Sequence, residues 1–291
     1  MDRPGFSRRT ILATTLATTL AGLSAPLGTA ARADWPDLVD DRWLRRDDTS
    51  DAIVNHEAWT RFLHRHVHVP GDGIARVRYG EVTGQDCGRL QAYIEVLAGT
   101  DVGALSPDEQ RAYWINLYNA LTVDLILQHY PVASIRDITN GFMSFGPWGM
   151  DVVTIDGEDL SLDDIEHGIL RAIWKDPRIH YVVNCASIGC PNLADAAYVG
   201  PAVDRMMSRA AAIYVNHPRG AGLDLKGRLV VSSLYDWYDD DFGENEAAIV
   251  DHIRGYAAEP LIDRMAGIDE IEGYAYDWAL NDATGMDATG M

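Results

Sequence analysis

The chain has 291 residues, 47% of them hydrophobic, and a formal charge of -20. That is enough apolar material for one large core or two small ones, while so acidic a surface repels phosphate backbones and anionic lipid and excludes nucleic acid as an expected partner. Residues 1–33 hold four arginines against one aspartate, so the remainder is more acidic still.

Ser7-Arg8-Arg9-Thr10-Ile11-Leu12 resembles a twin-arginine pattern, 11–27 is an apolar segment diluted by threonines, and Ala31-Arg32-Ala33 fits a small-x-small cleavage site. Together they predict a signal peptide over 1–33 and a periplasmic or secreted mature protein. No later stretch holds about 18 uninterrupted apolar residues, so no membrane span is expected in the mature chain. A protein exported through a twin-arginine-type route folds before it crosses, so any disulfide would be a late addition. Polar residues 34–50 read as a linker and 51–280 as a single globular domain. Residues 281–291, which repeat Asp-Ala-Thr-Gly-Met from Asp282 and Asp287, read as a low-complexity tail.

Ile53, Trp59, Phe62 and Leu63 are spaced for a helix over 51–66. His64, His66 and His68 follow, but Pro70 and Gly71 end the helix and no carboxylate accompanies them, so a solvated helix end is expected rather than a metal site. The sequence predicts no metal and no cofactor. Ala75 to Tyr79 is a strand candidate and Leu90 to Leu97 belongs to a helix. Ser106-Pro107-Asp108-Glu109 gives a helix start with a capping box, and Pro131 sets the end near His129. This helix is apolar on nearly every side and is therefore expected to be central and buried. Asn116 and Asn119 share one of its faces. A buried amide left without partners costs about 1 to 3 kcal/mol, so both either tie down loop backbone or line a polar pocket.

A glycine- and aromatic-rich loop from Asn140 to Gly149, with Phe142 and Trp148, is placed to cover a site or to bind a partner. Val152 to Ile155 with Asp156-Gly157 predicts a hairpin, and Ser161-Leu162-Asp163-Asp164 a second capping box. The helix that follows carries Leu162, Ile165, Ile169 and Ile173 as its core stripe, with Glu166 and His167 beside it. His180 to Leu193 reads as a buried strand ending in a tight turn. Strand alternation there puts His180, Val182 and Asn184 on one face and points Cys185 away from His180. Cys87, Cys185 and Cys190 are an odd set, so at least one thiol is unpaired within the chain. Cys185 is read three ways: a nucleophile with His167 or His180 as base, one half of a disulfide with Cys190, or a small buried hydrophobe. Helices over 203–214 and 246–256 and a strand over 229–232 complete the pattern, with Trp237-Tyr238 and acidic Asp239, Asp240 and Asp241 between the last two.

Trp114-Ile115-Asn116-Leu117-Tyr118-Asn119-Ala120, Asp164-Ile165-Glu166-His167, Asp176-Pro177-Arg178-Ile179-His180, Asn184-Cys185-Ala186-Ser187-Ile188-Gly189-Cys190-Pro191, and Trp237-Tyr238 with Asp241-Phe242 occur in an order that resembles the bacterial and plant domain-of-unknown-function family 547. The similarity runs from about Trp59 to Tyr256. That family is distantly similar to papain- and transglutaminase-like cysteine hydrolases, which implies a central helix packed on an antiparallel sheet and a thiol-dependent acyl-transfer site. Transglutaminase-like folds place the nucleophilic cysteine near the start of the central helix and before the histidine. Here that helix carries asparagines, and Cys185 follows both histidines. Either the nucleophile has moved or the scaffold has lost the chemistry.

The expectation is an α+β domain with the helix Pro107 to His129 on a small antiparallel sheet, surrounded by helices. Its leading function is a thiol-dependent hydrolase or acyl transferase acting on an amide or ester of an unknown small molecule or peptide. Cys185 attacks, His180 or His167 carries the proton, Glu166 or Asp241 orients the imidazole, and Asn116, Asn119 or Asn184 stabilises the oxyanion. The alternative is a non-catalytic envelope module that binds a small ligand or protein partner through the Phe142 to Trp148 loop. A metal held by His167, His180 and Cys185 is the weakest reading.

Overall fold

The computed structural model describes residues 40–139 and 146–284. The expected signal segment, most of the expected linker, the stretch 140–145 of the aromatic loop and the last residues of the expected tail lie outside them. In chain order the principal elements are helix α1 (Glu57–His66), strands β1 (Val67–His68) and β2 (Arg76–Val77), helices α2 (Gly84–Ala98) and α3 (Pro107–His129), and the hairpin β3 (Asp151–Ile155) and β4 (Glu158–Ser161). A π-helical segment (Asp164–Arg171), helix α4 (Val203–Val215), strands β5 (Ala221–Leu223) and β6 (Leu229–Ser232), helix α5 (Glu246–Tyr256) and strand β7 (Gly273–Ala275) follow.

The chain is α+β, and α3 is its centre. Every residue from Glu109 to Ile126 is buried. A helix with no polar face needs cover on all sides, which one sheet face cannot supply. So the small antiparallel sheet β3-β4 covers α3 only in part, through β3, and α2, α4 and the π-helical segment enclose the rest. The strands form three separate small sheets, β1-β2, β3-β4 and β5-β6-β7, and the β6-β7 pair is parallel. The start of α3 also departs from the capping-box expectation. Ser106 makes no side-chain cap, and the Glu109 carboxylate accepts the backbone N–H of Val54 at 2.8 Å and of Gly200 at 3.1 Å. Two buried loop amides thus find their acceptor on the helix.

Buried residues form two apolar clusters. The larger surrounds α3; the smaller gathers Tyr181, Tyr214, Tyr235, Phe242 and Val250 around α4, α5 and β6. The chain from Ile179 to Ala186 runs along the seam, giving Ile179, Val182, Val183 and Ala186 to the first and Tyr181 to the second. This stretch is not the strand its apolar run suggests. Pro177–Tyr181 is a 3-10 turn, and the Asn119 side chain donates to the Val182 carbonyl (2.8 Å) and accepts the Asn184 N–H (2.9 Å). Those are the groups a neighbouring strand would pair. Ala186 then adopts a left-handed φ of 59° and turns the chain back.

The expected tail begins too early. Asn281 and Ala283 are fully buried, the Val77 N–H donates to the Asn281 carbonyl and the Ala283 N–H to the Val77 carbonyl. Composition marked 281–284 as low-complexity, yet backbone pairing with β2 brings it into the core. No helix among the described residues is long and apolar enough to cross a membrane.

Candidate functional site

Two polar clusters sit on the 177–193 stretch. The first is built around the thiols. Cys185, Ser187 and Cys190 are brought together by the Ala186 turn, and all three cysteines of the chain are free thiols. The Cys185 backbone N–H donates to Cys190 Sγ at 3.0 Å. The Tyr276 hydroxyl lies 3.1 Å from each sulfur, and Ser187 Oγ donates to that hydroxyl at 2.9 Å and lies 3.3 Å from Cys185 Sγ. Tyr276 directly precedes the segment 277–281, which pairs with the thiol loop: Ile188 N–H donates to Ala279, Gly189 N–H to Asp277 and Asn281 N–H to Ala186. The packing is close enough that a Cβ on Gly189 would lie 2.8 Å from the Asp277 nitrogen.

These contacts separate the two thiols. Burial pushes Cys190 up, but hydrogen bonds from the Cys185 thiol, the Tyr276 hydroxyl and the Cys185 N–H outweigh it and bring its pKa down to about 7. Cys185 is raised well above the ordinary thiol value, by its hydrogen bond to Cys190 and then by burial. Cys190 is therefore the more acidic of the two thiols, and Cys185, the expected nucleophile, is its less acidic partner. The fixed backbone donor on Cys190 is the geometric reason. Cys190 is 3% exposed, whereas Cys185 is partly exposed. Arg219 backs the loop, donating to the Ile188 carbonyl at 2.7 Å with its guanidinium 5.4 Å from the Tyr214 ring. A groove of about 270 Å³ opens beside Tyr276, with Ile188, Pro218, Val230, Val231 and Arg219 in its walls. Trp237 and Trp278 pack against the Tyr276 ring, and Trp148 of the aromatic loop meets Trp278.

The second cluster is built around imidazoles. His180 Nε2 and Arg171 Nε both donate to Asp241 Oδ2, each at 2.6 Å. With its proton on Nε2, the neutral His180 ring carries its lone pair on Nδ1, which is buried, has no hydrogen-bond partner and faces Glu166 Oε1 at 3.8 Å. The ring stacks on Tyr238 with centroids 4.0 Å apart. Burial lowers the His180 pKa, against the opposing pull of Asp241 and Glu166. At Asp241, by contrast, burial is overcome, and His180 and Arg171 hold the carboxyl far below its usual range. His167 accepts from Arg171 Nη1 through Nδ1 at 2.9 Å, and burial followed by the Arg171 charge lowers it to about 4. The π-helical segment makes this possible: its wider turns, often found at functional sites, send Glu166 towards His180 while His167 meets Arg171.

Of the expected residues, the structure thus brings Glu166, His180, Asp241 and His167 into one cluster. Cys185 stands in the other and makes no hydrogen bond to a histidine. On the phenols of Tyr118 and Tyr238, burial and then the Glu166 carboxylate raise the pKa. The three asparagines have other duties. Asn116 bonds the Tyr198 carbonyl and N–H, Asn119 holds Val182 and Asn184, and Asn184 donates to the Pro191 carbonyl and accepts from Ala186. These buried amides spend their hydrogen bonds on clamping backbone, which leaves them unsuited to the expected oxyanion role. Among the described residues no group of three or more metal-ligating side chains is arranged to hold an ion, so His167, His180 and Cys185 form no such set.

Sequence reasoning missed Tyr276, Ser187 as a thiol partner, Arg171, and the greater acidity of Cys190. Only the Cys185–Cys190 spacing signalled any of this. No curated protein and no solved structure matches the chain. Residues 102–215, which span α3, the π-helical segment, His180, both thiols and α4, match the family described as protein of unknown function, DUF547.

Proposed function

We propose that the protein is a thiol-dependent hydrolase or acyl transferase acting on an amide or ester, with Cys190 as the attacking sulfur. The observation that carries the reading is the Cys190 Sγ held by a backbone N–H and the Tyr276 hydroxyl, which keep it a thiolate near neutral pH. The thiolate attacks the carbonyl carbon, the carbonyl electrons move to oxygen, and the hydroxyls of Tyr276 and Ser187 are the nearest donors for that oxyanion. Collapse expels the amine or alcohol, and water or a second nucleophile then releases the acyl group. His180 is the available proton carrier, because its Nδ1 lone pair is unengaged and Asp241 fixes its tautomer. The Tyr276, Trp237 and Trp278 rings offer an apolar wall for the substrate. A distant kinship to papain- and transglutaminase-like enzymes belongs to the same proposal, as does export through the 1–33 signal. Replacing Arg8 and Arg9 by lysine is expected to retain the unprocessed chain in the cytoplasm.

The test is a single-turnover reaction with a p-nitrophenyl ester followed by peptide mass mapping. A stoichiometric burst with the acyl group on Cys190, lost in Cys190→Ser, is the expected result. A burst that survives Cys190→Ser overturns the assignment. One observation favours a second reading, a non-catalytic envelope module: Cys190 is only 3% exposed. Under it no thiol reacts faster than an ordinary buried cysteine.

A further inference from the structure

We propose that Cys185 and Cys190 are also a thiol–disulfide exchange pair, Cys190 attacking and Cys185 resolving, that reduces small or peptide disulfides. This activity shares the Cys190 thiolate with the acyl-transfer reading but needs no histidine, which fits a thiol cluster that bonds to none.

Three features carry it. Both sulfurs bond the same phenol oxygen, 3.1 Å away on each side, and the Cys185 N–H lies 3.0 Å from Cys190 Sγ, so the thiols are already adjacent in the reduced protein. The left-handed Ala186 closes the intervening loop, and the 277–281 segment pins it from outside through three backbone hydrogen bonds, so pairing the sulfurs calls for little movement. The two thiols differ in acidity in the sense an exchange pair requires: a thiolate attacks, and a protonated thiol waits to resolve. Cys185 is the partly exposed member, and an apolar groove opens beside Tyr276, the residue whose hydroxyl bonds both sulfurs.

The chemistry balances without a further reagent for one turnover. Cys190 thiolate attacks one sulfur of the substrate disulfide, forming a mixed disulfide and expelling the first substrate thiolate, which takes a proton from water. Cys185 loses its proton to water and attacks Cys190 Sγ, forming the Cys185–Cys190 bond and expelling the second thiolate. The two electrons gained by the substrate disulfide come from the two protein thiols. Repeated turnover needs an external dithiol to reduce the bond again.

The reduced full-length protein is mixed with oxidised glutathione in the absence of any ester, with released thiol counted and cysteines mapped by mass. Wild type is expected to release two glutathione thiols per chain and to end with a Cys185–Cys190 bond, a free Cys87 and no adduct. Cys185→Ser and Cys185→Ala are expected to stop at one thiol with glutathione on Cys190, and Cys190→Ser to react at least tenfold more slowly. Wild type that releases one thiol and keeps the adduct, or releases none, overturns the proposal, as does Cys190→Ser matching wild type. The wild-type count stands even if a variant folds poorly. The ester burst and the thiol release are read in separate reactions, so either activity can fail while the other holds.

Discussion

The two polar clusters on the 177–193 stretch lie a few residues apart and solve burial differently. The thiol cluster is made of neutral donors, and it tolerates one buried thiolate because a backbone N–H and the Tyr276 hydroxyl aim at a single sulfur, while Ser187 donates to that hydroxyl. The imidazole cluster is made of formal charges, Asp241 between Arg171 and His180, and it keeps its histidines neutral because a buried imidazolium would be poorly solvated. Directed neutral donors thus leave a reactive group poised near neutral pH, whereas a tight charge network moves its members away from it. The first arrangement suits a nucleophile; the second suits a proton carrier whose orientation is fixed.

This difference is sharpest in pH dependence. His167 is lowered to about 4 and His180 is lowered by burial, as are His56 and His252, each to about 4. An unfolded histidine binds its proton below its ordinary value of 6.5, so over that range the unfolded chain holds more protons and stability falls with falling pH. The loss begins near that ordinary value and continues towards about 4 for the three histidines that reach it. At pH 5 each such imidazole costs about 2 kcal/mol, and urea unfolding at pH 7 and 5 measures the total. A flat profile between them would mean the histidines are charged in the fold. The thiols give no comparable stability signal, because Cys190 is lowered while Cys185 is raised and their contributions oppose.

Asn119 holds both clusters at once, since Val182 and Asn184 lie between His180 and Cys185. Asn119→Leu leaves a buried carbonyl and a buried N–H unpaired, at about 1 to 3 kcal/mol each. A loss of about 4 kcal/mol in urea unfolding is expected, with faster alkylation of both Cys185 and Cys190. Asp241→Asn should cost less, about 2 kcal/mol, because its side chain is 28% exposed and water screens part of the loss. Its discriminating readout is the thiol: the pH midpoint of Cys190 alkylation should stay near the value of about 7 set by its own donors. A shifted midpoint would show that the two clusters act as one site.

Local pattern made α3 legible to the residue, because its all-round apolar sequence and the flanking prolines leave no other element. The hairpin over 151–161 and helix α5 followed in the same way. What stayed hidden was set by partners distant in sequence. An apolar run reads as strand until the amide of Asn119 takes its backbone groups, and the 281–284 segment reads as tail until β2 pairs with it. The imidazole cluster was half legible: Glu166, His167 and His180 stood out as polar residues beside apolar ones and Asp241 as the end of an acidic run, but the π-helical turn and Arg171 that organise them leave no periodic mark. The thiol cluster was legible only as two cysteines five positions apart. Their asymmetry depends on Tyr276, 86 residues beyond Cys190, and no local signal points there.

Tyr276→Phe is the smallest of these changes, and it isolates what the neutral donors do. It removes one oxygen from a half-buried side chain and keeps the ring against Trp237 and Trp278, so stability should change by less than about 1 kcal/mol. The lost hydrogen bond stabilised the charged form of Cys190 and leaves the backbone N–H of Cys185 in place. A hydrogen bond to a charged group is worth about 1.5 kcal/mol or more, so the thiolate fraction below neutral pH, and with it the rate of iodoacetamide labelling at Cys190, should fall about tenfold. The labelling profile should move to higher pH while its plateau stays put. A plateau that drops without a shift would mean that Tyr276 governs access to the sulfur instead of its charge, and would place the control of this thiol in the aromatic cover formed with Trp237 and Trp278.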